Sequence, residues 1–238
     1  MTNFVFTASW RFSQGGDKTA FVWDVTSGTV TRRFTGHNAR INTCTMNDYG
    51  TLLFTGSYDA TVCIWDLRSN NREPIQKLCD VKDSVTSLAV TNQEILVGNV
   101  DATVRVYDIR AQKMHTDPRQ ESVICIRSVK NNSCALSACL DQKIYLSEIA
   151  SGVTLKTYEG HMNKEYKIEC DISYDDNNIV AGSEDGYMFI WDLMGGLVRK
   201  KLRVHEKCVS AVACHPSKDV ILTSSLDGTA KCWLEMFS

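Results

Sequence analysis

The sequence predicts an all-β protein assembled from six repeats, each a four-stranded antiparallel unit where complete. Three observations carry this reading. An eleven-residue phrase recurs, as GSYDATVCIWD from Gly56 and GSEDGYMFIWD from Gly182. Its aspartate appears six times, as Asp17, Asp59, Asp101, Asp141, Asp185 and Asp227, at spacings of 42, 42, 40, 44 and 42 residues. Within each period, branched and aromatic residues alternate with polar ones over short runs, which is the period of a strand and not of a helix.

The elements follow in order along one domain, residues 1–238. The first repeat (about 1–36) runs from FVFTAS into GGDKTAFVWD. The second (37–79) supplies INTCTM, LLFTGS, TVCIWD and PIQKL, separated by the polar turns NDYG and YDA. The third (80–118) carries GNVDATVRVYD, and the fourth (119–160) carries ACLDQKIYLSE, where Ser147-Glu148 stand in place of Trp-Asp. That loss predicts the fourth as the weakest interior repeat. The fifth (161–204) restores the phrase, and the sixth (205–238) ends in SSLDGTAKCWL. Six residues after each aspartate stands Trp23, Trp65, Tyr107, Ser147, Trp191 or Trp233. Four short strands in a period near 42 residues are the signature of a β-propeller blade.

Composition narrows the class. Apolar residues at 43% and charged residues at 23% suit a globular core, and a formal charge of −2 gives no general pull toward nucleic acid. No apolar run reaches the roughly 20 residues of a membrane span. The ten cysteines include no Cys-x-x-Cys pair, and Cys44, Cys63, Cys125 and Cys232 sit inside strand-like runs. They read as reduced core fillers in a cytoplasmic or nuclear protein.

Gly-His, Ser-x-x-Asp and Trp-Asp at this spacing resemble the WD-repeat family across the whole chain. The resemblance implies a hydrogen-bonded tetrad in each blade, formed by a histidine, a strand hydroxyl, the turn aspartate and the strand tryptophan. Carried over, these are His37, Ser57, Asp59 and Trp65, with Thr55 the less favoured hydroxyl. In the fifth repeat they are His161, Ser183, Asp185 and Trp191. In the sixth they are His205, Ser225, Asp227 and Trp233, with Val204 replacing the glycine. A Ser, His and Asp within one repeat could suggest a hydrolase triad, but an activated nucleophile is needed once, whereas these recur. No phosphate-cradling glycine loop and no metal spacing appears. The expectation is a protein without catalysis, small-molecule substrate or cofactor.

EILVGNVDATVRVYDIR from Glu94, YEGHMNKEYKIEC from Tyr158 and SEDGYMFIWDLMGG from Ser183 resemble one subfamily, the seven-bladed mitogen-activated protein kinase organisers. That resemblance implies a scaffold for components of the extracellular-signal-regulated kinase cascade. It also implies links to a hypoxia-response prolyl hydroxylase and to spliceosomal proteins. The loop Asn163, Lys164, Glu165, Tyr166 and Lys167, beside the fifth-repeat histidine, is the candidate partner-binding segment. Seven blades need more chain than 238 residues, so the expectation is an N-terminally shortened form whose ring stays open or closes imperfectly. FVFTAS is expected to be the innermost strand of the first blade.

Two further features bear on partners. Trp65-Asp66-Leu67-Arg68 and Tyr107-Asp108-Ile109-Arg110 fit the WDxR pattern of cullin-4 ligase substrate receptors, making Arg68 and Arg110 candidate contacts. Acidic residues dominate from Glu165 to Asp192, against basic Arg199, Lys200, Lys201, Arg203 and Lys207. This is solvated blade surface or a bipolar docking face.

Overall fold

The computed structural model describes residues 4–8, 18–24, 27–111 and 113–237. Asp17 of the first repeat lies outside them. The described residues form strands and no helix, arranged in six antiparallel sheets of three or four strands. The chain divides into two compact units, 1–115 and 116–238.

The first unit opens with β1 (Phe4–Ala8), β2 (Thr19–Asp24) and β3 (Thr29–Thr35), a three-stranded sheet. The second sheet is β4 (Ile41–Met46), β5 (Leu52–Ser57), β6 (Val62–Asp66) and β7 (Gln76–Leu78). The third is β8 (Val85–Val90), β9 (Glu94–Asn99), β10 (Thr103–Asp108) and β11 (Lys113–Pro118). The second unit holds two four-stranded sheets. These are β12 (Val123–Ser128), β13 (Cys134–Cys139), β14 (Lys143–Glu148) and β15 (Thr154–Tyr158), then β16 (Cys170–Ile172), β17 (Asn178–Gly182), β18 (Tyr187–Asp192) and β19 (Val198–Arg203). A three-stranded sheet of β20 (Val209–Cys214), β21 (Val220–Ser225) and β22 (Ala230–Leu234) follows. Each sheet keeps chain order, so each repeat folds on itself as a propeller blade.

The first blade corrects one expectation. Val5 pairs with Trp23 in β1–β2 as Leu53 pairs with Trp65 in β5–β6. Strand β1 therefore takes the second place in its blade, not the innermost. A tryptophan-bearing third strand needs a hairpin partner, and the preceding apolar run is the nearest one.

The repeated phrase is the β-hairpin between the second and third strands. The residue after its aspartate lies in the left-handed region in five blades: Ala60 (φ 60°), Ala102 (59°), Gln142 (66°), Gly186 (82°) and Gly228 (83°). Glycine fits there without strain, while the two alanines and the glutamine do not. The glycine of the phrase has a packing role. A Cβ on Gly56 would lie 2.4 Å from a Val85 methyl, and one on Gly182 would lie 2.2 Å from the Val209 carbonyl oxygen. The first strand of the following blade thus sits directly on this glycine.

The core lies between neighbouring sheets. Phe34, Ile41, Leu53, Cys63 and Trp65 fill one such layer in the first unit, and Ile144, Tyr158, Ile168, Cys170 and Trp191 fill one in the second. Each fully buried aliphatic or aromatic side chain contributes about 1.5–3 kcal/mol by leaving water. The bulges after Ile41, Val85, Val123 and Val209 open the first strand of four blades in the same way, adding twist at its start.

Candidate interaction surface

The polar residues of the phrase turn inward before any loop faces a partner. In the second blade His37 sits between two groups. Its Nδ1 lies 3.1 Å from Asp59 Oδ2, and its Nε2 lies 2.8 Å from Thr55 Oγ1. The Trp65 indole N–H donates to the same hydroxyl at 2.9 Å. Burial holds the His37 imidazole below its usual range, against the pull of Asp59. Burial alone would raise the Asp59 carboxyl, but hydrogen bonds from Thr61, the Asn38 N–H and His37 outweigh it and hold it low. With a neutral imidazole, one arrangement satisfies every group. Trp65 donates to Thr55, Thr55 donates to Nε2, and Nδ1–H donates to the Asp59 carboxylate.

The hydroxyl in this network is Thr55, and Ser57 does not enter it. Ser57 donates to the Arg40 carbonyl (2.8 Å) and accepts from the Asp59 N–H (3.1 Å), closing the turn. Both share one face of the strand, and distance along it explains the difference, because Ser57 lies two residues further from Trp65, at the turn. Thr55 pairs with Cys63, two residues from Trp65, and so shares that tryptophan's face. The sixth blade repeats this, with His205 Nε2 2.9 Å and Trp233 Nε1 3.0 Å from Thr223 Oγ1, and His205 Nδ1 3.0 Å from Asp227. Ser225 there accepts from the Asp227 N–H at 3.1 Å.

Replacing Thr55 with valine keeps the shape and leaves the Trp65 N–H and His37 Nε2 buried without a partner. We expect a loss of about 2–4 kcal/mol, at 1–3 kcal/mol for each stranded group, and a displaced Trp65 indole N–H resonance. Ser57→Ala should leave that resonance in place. An unmoved resonance in Thr55→Val would refute the assignment.

The fifth blade departs from the expected tetrad. Ala181 occupies the place of Thr55, so no strand hydroxyl is available. Trp191 donates instead to the Glu159 carbonyl at 3.0 Å, and Ser183 accepts from the Met162 N–H at 2.9 Å. Among the described residues Asp185 accepts only a long bond from the Tyr187 N–H, 3.4 Å. His161 lies nine residues before Cys170, which pairs with Ala181, whereas His37 lies seven before Cys44, which pairs with Thr55, and this longer loop separates it from Asp185. The His161 ring packs edge-on against Trp191 at 5.4 Å, and its Nδ1 has no partner among the described residues.

Burial lowers the His161 pKa to about 4, against the attraction of Asp141, Asp185 and Glu184. A histidine depressed in the folded state stabilises fully above its unfolded value near 6.5 and loses that stability as pH falls toward 4. His161 alone should remove about 2 kcal/mol between pH 7 and pH 4.5. Thermal melts of His161→Leu should show a shallower slope across that window. An unchanged slope would show that His161 protonates freely in the folded protein.

Two blades write different networks. Val81 fills the histidine place in the third, and Arg105 on β10 reaches Asp101 with two nitrogens, at 3.2 and 2.7 Å. In the fourth, Arg119 donates to Ser137 (3.1 Å) and Ser147 (3.0 Å), while the Tyr145 hydroxyl donates to Asp141 at 2.5 Å. The missing Trp-Asp is thus answered by an arginine bridging two serines. These residues lay outside sequence reasoning because they sit in the histidine place or on the strand after the turn. A charged or tyrosine residue inside an apolar strand was the available signal.

The candidate contact residues are mixed. Asn163 is 1% exposed and so cannot present itself to a partner, because the loop folds inward over it. Lys164, Glu165 and Tyr166 are exposed, and their backbone N–H groups converge on Glu184 Oε1 at 2.7, 2.7 and 3.2 Å. That carboxylate shapes the loop. Lys167 is half-buried. Arg68 is 74% exposed beside Asp66 at 3.6 Å, and Arg110 is exposed, its backbone N–H held by Asp108 at 2.8 Å.

Fold and networks together define an all-β protein of repeated propeller-type blades, with the hairpin turns of the second and sixth locked by the same buried network. The chain belongs to the WD-repeat family: the description "WD domain, G-beta repeat" matches residues 28–66, 152–192 and 196–233. It is 36% identical to a WD repeat domain-containing protein 83 homolog of Dictyostelium discoideum, over 91% of this chain and 76% of that protein. It is 39% identical to the WD repeat domain-containing protein 83 of Homo sapiens over 70% of this chain, and spans 53% of that relative's length. The crystal structure of the computationally designed Ika8 protein is similar with a TM-score of 0.77, covering 98% of this chain and 69% of that one. At 23% identity that likeness concerns the fold alone.

Proposed function

We propose that this chain is a non-catalytic scaffold that gathers components of the extracellular-signal-regulated kinase cascade in the cytoplasm and nucleus. One observation carries the scaffold reading. In the second and sixth blades the histidine, hydroxyl and carboxylate are spent on the blade's own turn, which leaves rigid strands holding exposed loops. The subfamily-like spelling from Glu94, Tyr158 and Ser183 supports the kinase-cascade partners. It also supports the links to a prolyl hydroxylase and to spliceosomal proteins. Among the described residues no helix is long and apolar enough to cross a membrane.

Affinity purification from cells with quantitative mass spectrometry tests the proposal. Recovery of cascade kinases and their adaptors is the expected result. Exposed Arg68 and Arg110 favour a second reading, a substrate receptor of a cullin-4 ubiquitin ligase. Recovery of the ligase adaptor, lost in Arg68→Ala/Arg110→Ala, would replace the first reading with the second.

A further inference from the structure

Basic residues on the outer strands fasten neighbouring blades. Arg32 on β3 donates to the Leu67 carbonyl (2.6 Å) and to that of Ser69. Lys156 on β15 donates to the Met194 carbonyl, and Lys200 on β19 to that of Met236 at 2.8 Å. Strand registers put Gln76 of β7 in the same place, since Gln76 pairs with Ile64 as Arg32 pairs with Val22. Gln76 is exposed and makes no such bond among the described residues. Beneath the fastener, the ring pair Phe34–Trp65, 5.2 Å apart, becomes Leu78 and Tyr107 one blade on.

The lost volume and the lost fastener coincide with a cavity of about 540 Å³. Buried Phe54, Ile64 and Ile95 line it, together with Ile75 (55% exposed), Ile109 (48%) and Met114 (43%). Tyr107 also lines it. This residue is only 8% exposed, and its buried hydroxyl has no hydrogen-bond partner among the described residues. The hydroxyl stays protonated at neutral pH, raised to about 12 by burial and by Asp80. Asp80 and Asp108 supply two carboxylates to the lining, against the single amine of Lys113. A mostly apolar cavity of this size with a few polar groups has the character of a binding site.

We propose that this cleft between the second and third blades receives a partner protein's segment. One large apolar side chain fills the cavity, and an adjacent lysine or arginine faces Asp80 and Asp108. A main-chain carbonyl of the segment accepts from the Tyr107 hydroxyl. The occupant follows from apolar lining, an unspent donor and excess negative charge at one place. The proposal rests on the scaffold reading but concerns one contact.

The test selects a random dodecapeptide library on the wild-type chain, then measures binding of the enriched peptides to three forms. Tyr107→Trp refills the cavity with the residue that four other repeats carry at this position. Ile75→Glu charges an exposed rim residue and leaves the core untouched. Circular dichroism and melting of each variant are recorded alongside. The expected peptides pair a bulky apolar residue with a neighbouring Lys or Arg, and bind at least tenfold more weakly to both variants. Peptides binding all three forms equally would overturn the site while leaving the scaffold reading intact. So would enrichment of acidic peptides, or of none. Concentration-dependent self-association of wild type, abolished in Tyr107→Trp, would overturn it in favour of a second copy as occupant.

Discussion

Trp65→Ala is expected to cost about 3–5 kcal/mol, the range for truncating a buried aromatic residue. Trp65 is fully buried, packs on Phe34 at 5.2 Å, and its ring edge lies 3.0 Å from where a Cβ on Gly36 would stand. Alanine leaves a void that β-strands cannot collapse into without breaking the pairing of Leu53 with residue 65. It also removes the indole N–H that the Thr55 hydroxyl accepts, leaving that hydroxyl its bond to His37. In a chain of this size the melting midpoint should fall by roughly 6–20 °C. Trp65→Phe keeps most of the apolar area and should cost less than half as much. A midpoint unchanged in Trp65→Ala would contradict the packing described.

Arg105→Leu should cost a similar amount, about 3–5 kcal/mol, because removing one partner strands the other charge. The Arg105 side chain is 4% exposed and that of Asp101 15%. Burial alone would raise the Asp101 carboxyl, but hydrogen bonds from Arg105 and Thr103 outweigh it and hold it low. A depressed carboxylate stabilises above its unfolded value and loses that stability as pH falls below it. Without Arg105 the burial effect prevails, so the penalty should shrink between pH 7 and pH 4 as the carboxyl protonates. The double variant Arg105→Leu/Asp101→Asn should recover much of the loss. Urea unfolding of the four forms measures the coupling. Additive losses would show that the two side chains do not depend on each other.

The sequence by itself determined the repeat, the strand period and the hairpin at each aspartate. Those depend on residues close together in the chain, where alternation and turn chemistry act locally. Its resemblance to the WD-repeat family implied that Asp59, Trp65, Asp227 and Trp233 belong to polar networks, and their six-residue spacing is built into one hairpin. The choice between Thr55 and Ser57 was decided only in three dimensions. Both are buried hydroxyls on one strand, but the tryptophan's hydrogen bond reaches a single position across the sheet. The same holds for His161, which keeps the spelling of a tetrad member yet is displaced by two extra loop residues. Arg105 and Arg119 were illegible for a related reason: a buried carboxylate or hydroxyl needs a partner of suitable reach, not a particular letter. The cleft at Tyr107 belongs to tertiary structure alone. Its volume arises from Leu78 on one blade facing Tyr107 on the next, and no single repeat contains both sides of that contact.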